Sequence, residues 1–380
     1  MSSSRGSGPL DAETRGLTDV LLSLMASGVG VPWEETAFSQ MAVRLFSYQY
    51  ERNAPYRNFC AHRGVSPASV SRWQDIPAIP TAAFKAAPLA CFDVRHAAAV
   101  YHSSGTSGAG PGKHYLQSLD LYNASLRPTF AAHVLPDGQR LRMMLLVPPP
   151  AIAPHSSLSH MLAEVAREWS EDQPVWAVDE TGLRVRALMD TLRRSQQQGA
   201  PVALLGTAFA FVSLLDTCLT QGIRFALPPG SRIMDTGGYK GRTREVPKDE
   251  LHCLYLRVLG VPESHVINEY GMTEMGSQFY DSALRDAASG RAGPRYKAGP
   301  PWVRTMVMDP ETMEPAAPGA IGLLRHVDLA NLGSVVSIQT DDLGYAIGAG
   351  FQIVGRARGA EARGCSITAE ELLNTAARDR

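Results

Sequence analysis

Residues 251–274 read Leu251-His252-Cys253-Leu254-Tyr255-Leu256-Arg257-Val258-Leu259-Gly260-Val261-Pro262-Glu263-Ser264-His265-Val266-Ile267-Asn268-Glu269-Tyr270-Gly271-Met272-Thr273-Glu274. Leu251, Leu254, Tyr255 and Val258 recur at helical spacing. Gly260 stops that helix, because glycine adopts the left-handed conformation that closes a C-terminus. His265 to Glu269 then reads as a strand that delivers Tyr270-Gly271-Met272-Thr273-Glu274 to its end. The same alternation extends upstream. Val202 to Leu205 is a short strand running into a helix-like stretch from Phe209 to Leu219. Leu141 to Val147 is a buried strand ended by three prolines. Leu158, Met161, Leu162 and Val165 form a helix stripe, capped by Ser156 or Ser157. Strands alternating with helices predict a mixed α/β architecture.

Toward the N-terminus, Phe38, Met41, Ala42 and Leu45 mark one more amphipathic helix, and residues 1–16 read as a flexible tail. In Ile76-Pro77-Ala78-Ile79-Pro80-Thr81 two prolines three apart forbid a helix, which predicts an extended surface connection. After Pro300 the pattern turns to β. Trp302 to Met308, Ile321 to Val327, Gly333 to Thr340 and Phe351 to Val354 read as strands, with turn signals between Pro310 and Gly322. Thr368-Ala369-Glu370-Glu371 has the form of a capping box and opens a last short helix. The expected division is a tail over 1–16, a core over 17–345 and a short C-terminal segment over 346–380.

Composition narrows the function classes. Hydrophobic residues make up 44% of the 380 positions and charged residues 19%, which predicts a buried core rather than disorder. Lys and Arg number 36 against 37 Asp and Glu, a net charge of −1 that argues against binding nucleic acid through its phosphates. Five cysteines without a Cys-x-x-Cys pair make a disulfide framework and a structural zinc site poor expectations. The start of the chain lacks the apolar core of a signal peptide, and no apolar run reaches the ~18 residues of a membrane span. The expectation is a soluble cytoplasmic protein.

Four segments carry candidate chemistry. Ser103-Ser104-Gly105-Thr106-Ser107-Gly108-Ala109-Gly110-Pro111-Gly112-Lys113 is either a phosphate-holding loop or a flexible linker. It is not a Walker loop, since His114 follows Lys113. In Tyr270 to Glu274, Tyr270 can cover a flat ring, Thr273 offers a hydroxyl and Glu274 a hard oxygen ligand for Mg²⁺. A buried Tyr beside a solvated Glu would explain the same letters. Thr340-Asp341-Asp342-Leu343-Gly344 with Gly355-Arg356 is either a carboxylate at a strand end, able to accept ribose hydroxyls, or an acidic turn. Finally, Cys365 lies in a polar loop beside Arg363 and shortly before a helix start, two features that favour the reactive thiolate. Cys60, Cys91, Cys218 and Cys253 read as small buried hydrophobes.

Taken together and in this order, these segments resemble the adenylate-forming superfamily of acyl-CoA synthetases, peptide-synthetase adenylation domains and firefly luciferase. The phosphate loop of that superfamily is matched by Ser104-Gly105-Thr106-Ser107-Gly108. Its Tyr-Gly-x-Thr-Glu motif is matched by Tyr270 to Glu274. Its Thr/Ser-Gly-Asp motif is matched by Thr340 and Asp342, with Asp341 in place of Gly. Its Gly-Arg motif is matched by Gly355-Arg356. A nearer likeness is to the LuxE-like acyl-protein synthetases, which activate fatty acids for bioluminescence reductases. It is carried by Asp75 to Thr81, Met234-Asp235-Thr236-Gly237-Gly238-Tyr239-Lys240-Gly241-Arg242, Asn268 to Tyr280 and Arg363 to Leu372.

The resemblance implies an adenylate-forming core of layered α/β subdomains with a β-rich C-terminal part. Only 24 residues follow Arg356 (380 − 356), too few for the superfamily's mobile C-terminal lid, so the full lid is expected to be lacking. The implied cofactors are ATP and Mg²⁺. Ser104, Gly105, Thr106, Ser107 and Gly108 would hold phosphate, Thr273 would contact it, and Glu274 would place the metal. Tyr270 would flank adenine with backbone from Gly237 and Gly238. Asp342 would accept the ribose hydroxyls with Arg356 nearby. Cys365 matches the family's acyl-enzyme position. The implied substrate is a carboxylic acid, and the acceptor a reductase, CoA or an acyl carrier protein. Two other classes fit parts of the pattern: an ATP-independent acyltransferase working through Cys365, and a non-catalytic adenylate-sensing scaffold.

Overall fold

The structure is a computed structural model that describes residues 10–103, 110–237 and 244–357. The chain divides into two compact units. One takes in the residues up to Leu126, Met272–Gln278 and those from Lys297 onward; the other takes in Arg127–Gly271 and Phe279–Tyr296. The turn from Tyr270 to Glu274 is thus a place where the chain passes from one unit to the other.

The second unit follows the helix–strand alternation of its sequence. Val175–Trp176, Arg142–Leu146, Val202–Thr207, Arg232–Thr236 and Val266–Tyr270 lie side by side and parallel, and Phe279–Asp281 runs antiparallel at the far end. Parallel strands need crossovers, and helices Ser157–Trp169, Val185–Gln198, Ala208–Thr220 and Lys248–Leu259 fall between successive strands. Ser156 caps the first of these by accepting from the Ser159 amide at 3.1 Å. Gly260 closes the last in the left-handed conformation, φ 72°. The core joins Met144, Leu204 and Ile233 of the strands to Leu188, Leu192, Phe211, Leu215, Tyr255 and Val258 of the helices. Gly206 is there for closeness, since a Cβ on it would sit 2.6 Å from Leu146 Cβ.

In the first unit, strands Val303–Met308, Gly322–Asp328, Ser337–Ile347 and Gly350–Arg356 form an antiparallel series, with Lys297–Ala298 beside the last. Helices Glu35–Arg52 and Ala54–Ala61 pack in the same unit. The Gln49 amide donates to the carbonyls of Asn331 and Leu332 and accepts from the Val336 amide. It thereby satisfies backbone groups that a ladder would otherwise pair.

That contact explains one correction. The expected strand from Gly333 begins only at Ser337, because residues 332–336 turn around Gln49 and the Asn331 side chain, which donates to the Val335 carbonyl. The strand then continues through Asp341 and Asp342 to Ile347, so the acidic pair lies within a strand and not in a turn. Gly344 serves close approach there, its position lying 2.3 Å from the Gln352 carbonyl oxygen when given a Cβ. A second correction concerns the proline segment. It is extended, but Ile76 and Ile79 are fully buried, and Ile79–Pro80 pairs parallel with Ser337–Ile347. A third concerns the tail. Helix Ala12–Met25 starts inside it, capped by Asp11, whose carboxylate accepts from the Thr14 amide at 2.9 Å. The proposed boundary at residue 345 likewise falls inside a strand.

Candidate active site

The glycine-rich segment is carried on a β-hairpin. Ala99–His102 pairs antiparallel with Lys113–Leu116, and the Ser103 amide closes onto the Gly112 carbonyl at 2.9 Å. The Ser103 hydroxyl accepts from the Gly112 amide, also at 2.9 Å. Ser104, Gly105, Thr106, Ser107 and Gly108 lie outside the described residues, as do Gly238 and Cys365 and the helix expected from Thr368. What the structure describes is the frame of the loop. Gly112 is packed so tightly that an added Cβ would meet Ser103 Oγ at 2.9 Å and Lys85 Cγ at 3.5 Å.

Thr273 sits against this frame. Its carbonyl accepts from His114 Nδ1 at 2.7 Å, and its hydroxyl donates to the His102 carbonyl at 3.3 Å. The hydroxyl expected to meet phosphate is therefore engaged on the hairpin. Glu274, next along, is 7% exposed rather than solvated. Its carbonyl accepts from Asn331 Nδ2 at 2.9 Å. Gly276 and Ser277, two and three positions further on, are held by Asp328, a fully buried carboxylate that accepts from the amides of Gly276, Ser277 and Ala330 and from the Ser277 hydroxyl, at 2.7 to 3.0 Å. Ser277 also meets Ser125, which accepts from Trp302 Nε1 at 2.8 Å. The turn bearing Thr273 and Glu274 is thus tied to a hairpin, a buried carboxylate and an asparagine.

Asp342 lies where strand Ser337–Ile347 changes neighbour, from Ile79–Pro80 to Gly350–Arg356. It stands opposite Arg356 in register, and Arg356 Nε donates to its Oδ1 at 3.1 Å. Asp342 is 14% exposed and Arg356 71%. These groups act on one another electrostatically. Burial pushes the Glu274 carboxyl upward, and Asp342 adds to the rise, while Lys85 and Arg356 oppose it. Asp341 is also raised by burial, lowered by Arg356 and Lys85, and raised by Asp342. Glu274 and Asp341 are thus within electrostatic reach of Asp342, Lys85 and Arg356, all in this unit. No group of three His, Cys, Asp or Glu among the described residues is placed to hold a metal by itself. Mg²⁺ does not require one, since it binds through one or two carboxylates together with substrate phosphates. Buried, hard oxygen donors such as Glu274 fit that use.

The second unit holds the remaining candidates. Gly237 follows strand Arg232–Thr236 with φ 70°, a conformation that excludes most side chains. Tyr270 ends strand Val266–Tyr270, half-buried, its ring 5.9 Å from that of Phe279. Both stand at the carboxyl ends of parallel strands, where open α/β sheets place ligands. Beneath them, Asp235 accepts from Tyr255 Oη at 2.9 Å and Asn268 Nδ2 at 2.7 Å, and the Thr236 hydroxyl donates to Glu269.

Sequence reasoning missed Lys85, His114, Asp328 and Asn331. Lys85 is a lone cation on a four-residue helix, Ala83–Ala86. His114 and Asp328 lack a motif, and only their contacts distinguish them. The cysteines need one correction. Cys60, Cys91 and Cys218 are buried as expected, and burial pushes the Cys60 thiol up to about 12. Cys253 is exposed, because on helix Lys248–Leu259 the buried face is formed by Leu251, Leu254, Tyr255 and Val258. Among the described residues no helix is long and apolar enough to cross a membrane.

A family model described as acyl-protein synthetase, LuxE, matches residues 170–374, a span that includes Tyr270, Glu274, Asp342, Arg356 and Cys365. A long-chain-fatty-acid–luciferin-component ligase from Vibrio harveyi is 24% identical over 368 residues, covering 92% of this chain and 93% of its own. Among solved structures, an open conformation of 2-hydroxyisobutyryl-CoA ligase in complex with 2-HIB-AMP and CoA aligns with a TM-score of 0.56 at 14% identity, over 93% of this chain and 71% of that one. ATP-bound MatB from Rhodopseudomonas palustris aligns over 70% of this chain with a TM-score of 0.48 at 17% identity, and the chain spans about half, 49%, of its length. The fold is that of the adenylate-forming enzymes. With more than half of its residues matched by the family model, the chain belongs to the acyl-protein synthetase family, LuxE, and is a ligase-type enzyme.

Proposed function

We propose that this enzyme activates a carboxylic acid, of the long-chain fatty class, as an acyl adenylate at the expense of ATP, and then takes the acyl group onto Cys365 as a thioester for delivery to a partner. The observation that carries this reading is the joining of Thr273 to both strands of the glycine-rich hairpin, beside a cluster of Glu274, Asp341, Asp342, Lys85 and Arg356. Such a cluster suits a polyanionic nucleotide with a bound cation. The name of the Vibrio harveyi relative supports the fatty acid and a luciferin component as the acceptor system.

In the first half-reaction a carboxylate oxygen bonds to the α-phosphorus of ATP and pyrophosphate leaves. Two anions must approach, so the barrier depends on groups that neutralise phosphate charge. Backbone amides and hydroxyls of Ser104 to Gly108 serve that purpose in this reading, with Lys85 as a nearby cation. Glu274 would hold Mg²⁺, which when bound supplies Lewis-acid stabilisation of phosphate oxygens. Asp342 accepts the ribose hydroxyls, and Tyr270 with Gly237 and Gly238 offers a ring face and backbone for adenine. In the second half-reaction the Cys365 thiolate bonds to the acyl carbonyl carbon and AMP leaves with the electron pair. The acyl group then passes to a reductase, CoA or a carrier-protein thiol.

Intact-mass spectrometry tests this directly. Incubation with ATP, Mg²⁺ and a long-chain fatty acid is expected to add the mass of one acid less one water. Hydroxylamine should remove the adduct, and Cys365→Ala should never acquire it. Equal labelling of Cys365→Ala, or labelling by acyl-CoA but not by acid with ATP, overturns the reading.

A further inference from the structure

The glycine-rich hairpin and the Thr273–Glu274 turn are 159 residues apart in sequence, and two hydrogen bonds join them. His114 Nδ1 lies 2.7 Å from the Thr273 carbonyl, and the Thr273 hydroxyl donates to the His102 carbonyl. His102 and His114 belong to opposite strands of the hairpin, so Thr273 bridges both. His114 is 1% exposed, and the Phe84 ring stands nearly perpendicular to its imidazole at 5.8 Å. A carbonyl only accepts, so Nδ1 must carry the proton. Burial agrees with a neutral ring, pushing His114 down to about 4. Nε2 is then a bare acceptor, and it finds no partner among the described residues.

We propose that His114 is a positioning residue for acid activation, one that sets the register between the phosphate-holding hairpin and the turn bearing Thr273 and Glu274. This rests on the adenylate-forming reading above. The hairpin closes on itself through Ser103 and Gly112, so losing the His114 bond leaves the loop frame intact. What changes is the distance from that frame to Glu274. Misplacement of a catalytic group by about 1 Å can cost about a hundredfold in rate. The effect therefore falls on the chemical step and not on phosphate binding.

Three variants separate positioning from packing. His114→Phe keeps a ring against Phe84 but removes the donor. His114→Asn returns an amide N–H near Nδ1, whereas His114→Gln carries it farther out. Acid-dependent ATP–pyrophosphate exchange is measured per active site. His114→Phe is expected to lower kcat about tenfold to a hundredfold with the KM for ATP within about threefold. His114→Asn should recover most of the rate, and His114→Gln should not. A His114→Phe kcat within twofold of wild type, or equal rates for Asn and Gln variants, overturns the proposal. Should the Phe variant fail to fold, the Asn–Gln comparison decides alone. Hydrogen–deuterium exchange of the peptide covering residues 272–277 gives a readout without catalysis. Exchange there should rise in His114→Phe and His114→Gln and return in His114→Asn; unchanged exchange overturns the link. Absence of pyrophosphate exchange in the wild type would remove the proposed function, and the exchange pattern of this peptide would still decide the role of His114.

Discussion

Replacing Asp342 by Asn tests the nucleotide side of the site most sharply. The carboxylate is 14% exposed, and its Oδ1 already accepts from Arg356 Nε at 3.1 Å. A hydrogen bond to a charged group is worth about 1.5–3 kcal/mol. An amide keeps one acceptor oxygen and turns the other into a donor, so one of two ribose bonds is lost and the other becomes neutral. The nucleotide competes with Arg356, but that guanidinium is 71% exposed, and exposed pairs contribute about 0–1 kcal/mol. The net loss is about 2–3 kcal/mol, roughly thirtyfold to 150-fold in affinity. Calorimetric titration with AMP and with a non-hydrolysable acyl-adenylate analogue measures it. The strand pairing of Asp342 with Arg356 is backbone-mediated, so the variant should fold, with a melting temperature within about 3 °C of wild type. Fatty-acid affinity should change little. Undiminished AMP affinity in Asp342→Asn, with the loss appearing instead in Asp341→Asn, would refute the assignment.

Two further outcomes follow from the same geometry. Glu274→Gln should abolish acid-dependent pyrophosphate exchange, by at least about a hundredfold, yet still accept an acyl group at Cys365 from synthetic acyl adenylate. Parallel loss of both half-reactions, read by mass spectrometry, would make Glu274 structural. Asp328 should give stability a distinctive pH dependence. Burial outweighs its four donors and raises it from 3.8 to about 6, so the folded state holds a proton that the unfolded chain has released. Its contribution is full below pH ~4 and is lost as pH rises through ~6; a difference of about two in pKa amounts to about 3 kcal/mol. Urea unfolding of wild type and Asp328→Asn from pH 4 to 7 should show this component in the wild type only, and equal slopes would count against a buried, proton-holding Asp328.

Much of the fold was legible because it depends on local rules. The stripe Leu251, Leu254, Tyr255, Val258 buried one face of helix Lys248–Leu259 as spaced, and Gly260 closed it. In strand Val202–Thr207 the residues from Val202 to Gly206 are buried without a break, as expected of a strand covered on both faces. Helix Asp120–Val134 carries Pro128 inside, which lowers any helical expectation from sequence alone. The strand starting at Ser337 was misjudged at its head because Gln49, far away in sequence, occupies the backbone groups of residues 331, 332 and 336.

The sequence by itself determined the family and the chemical types at Tyr270, Thr273, Glu274, Asp342 and Arg356, because short motifs record residues in chain order. Only the tertiary structure decided how those in the first unit are held. Thr273 depends on His102 and His114, the residues after Glu274 depend on Asp328, and Asp342 meets Arg356 across a ladder. These partners come from distant parts of the chain and are ordinary residues in unremarked surroundings. A hydrogen bond acts through space over about 3 Å, and no local pattern of letters encodes which distant donor will arrive there.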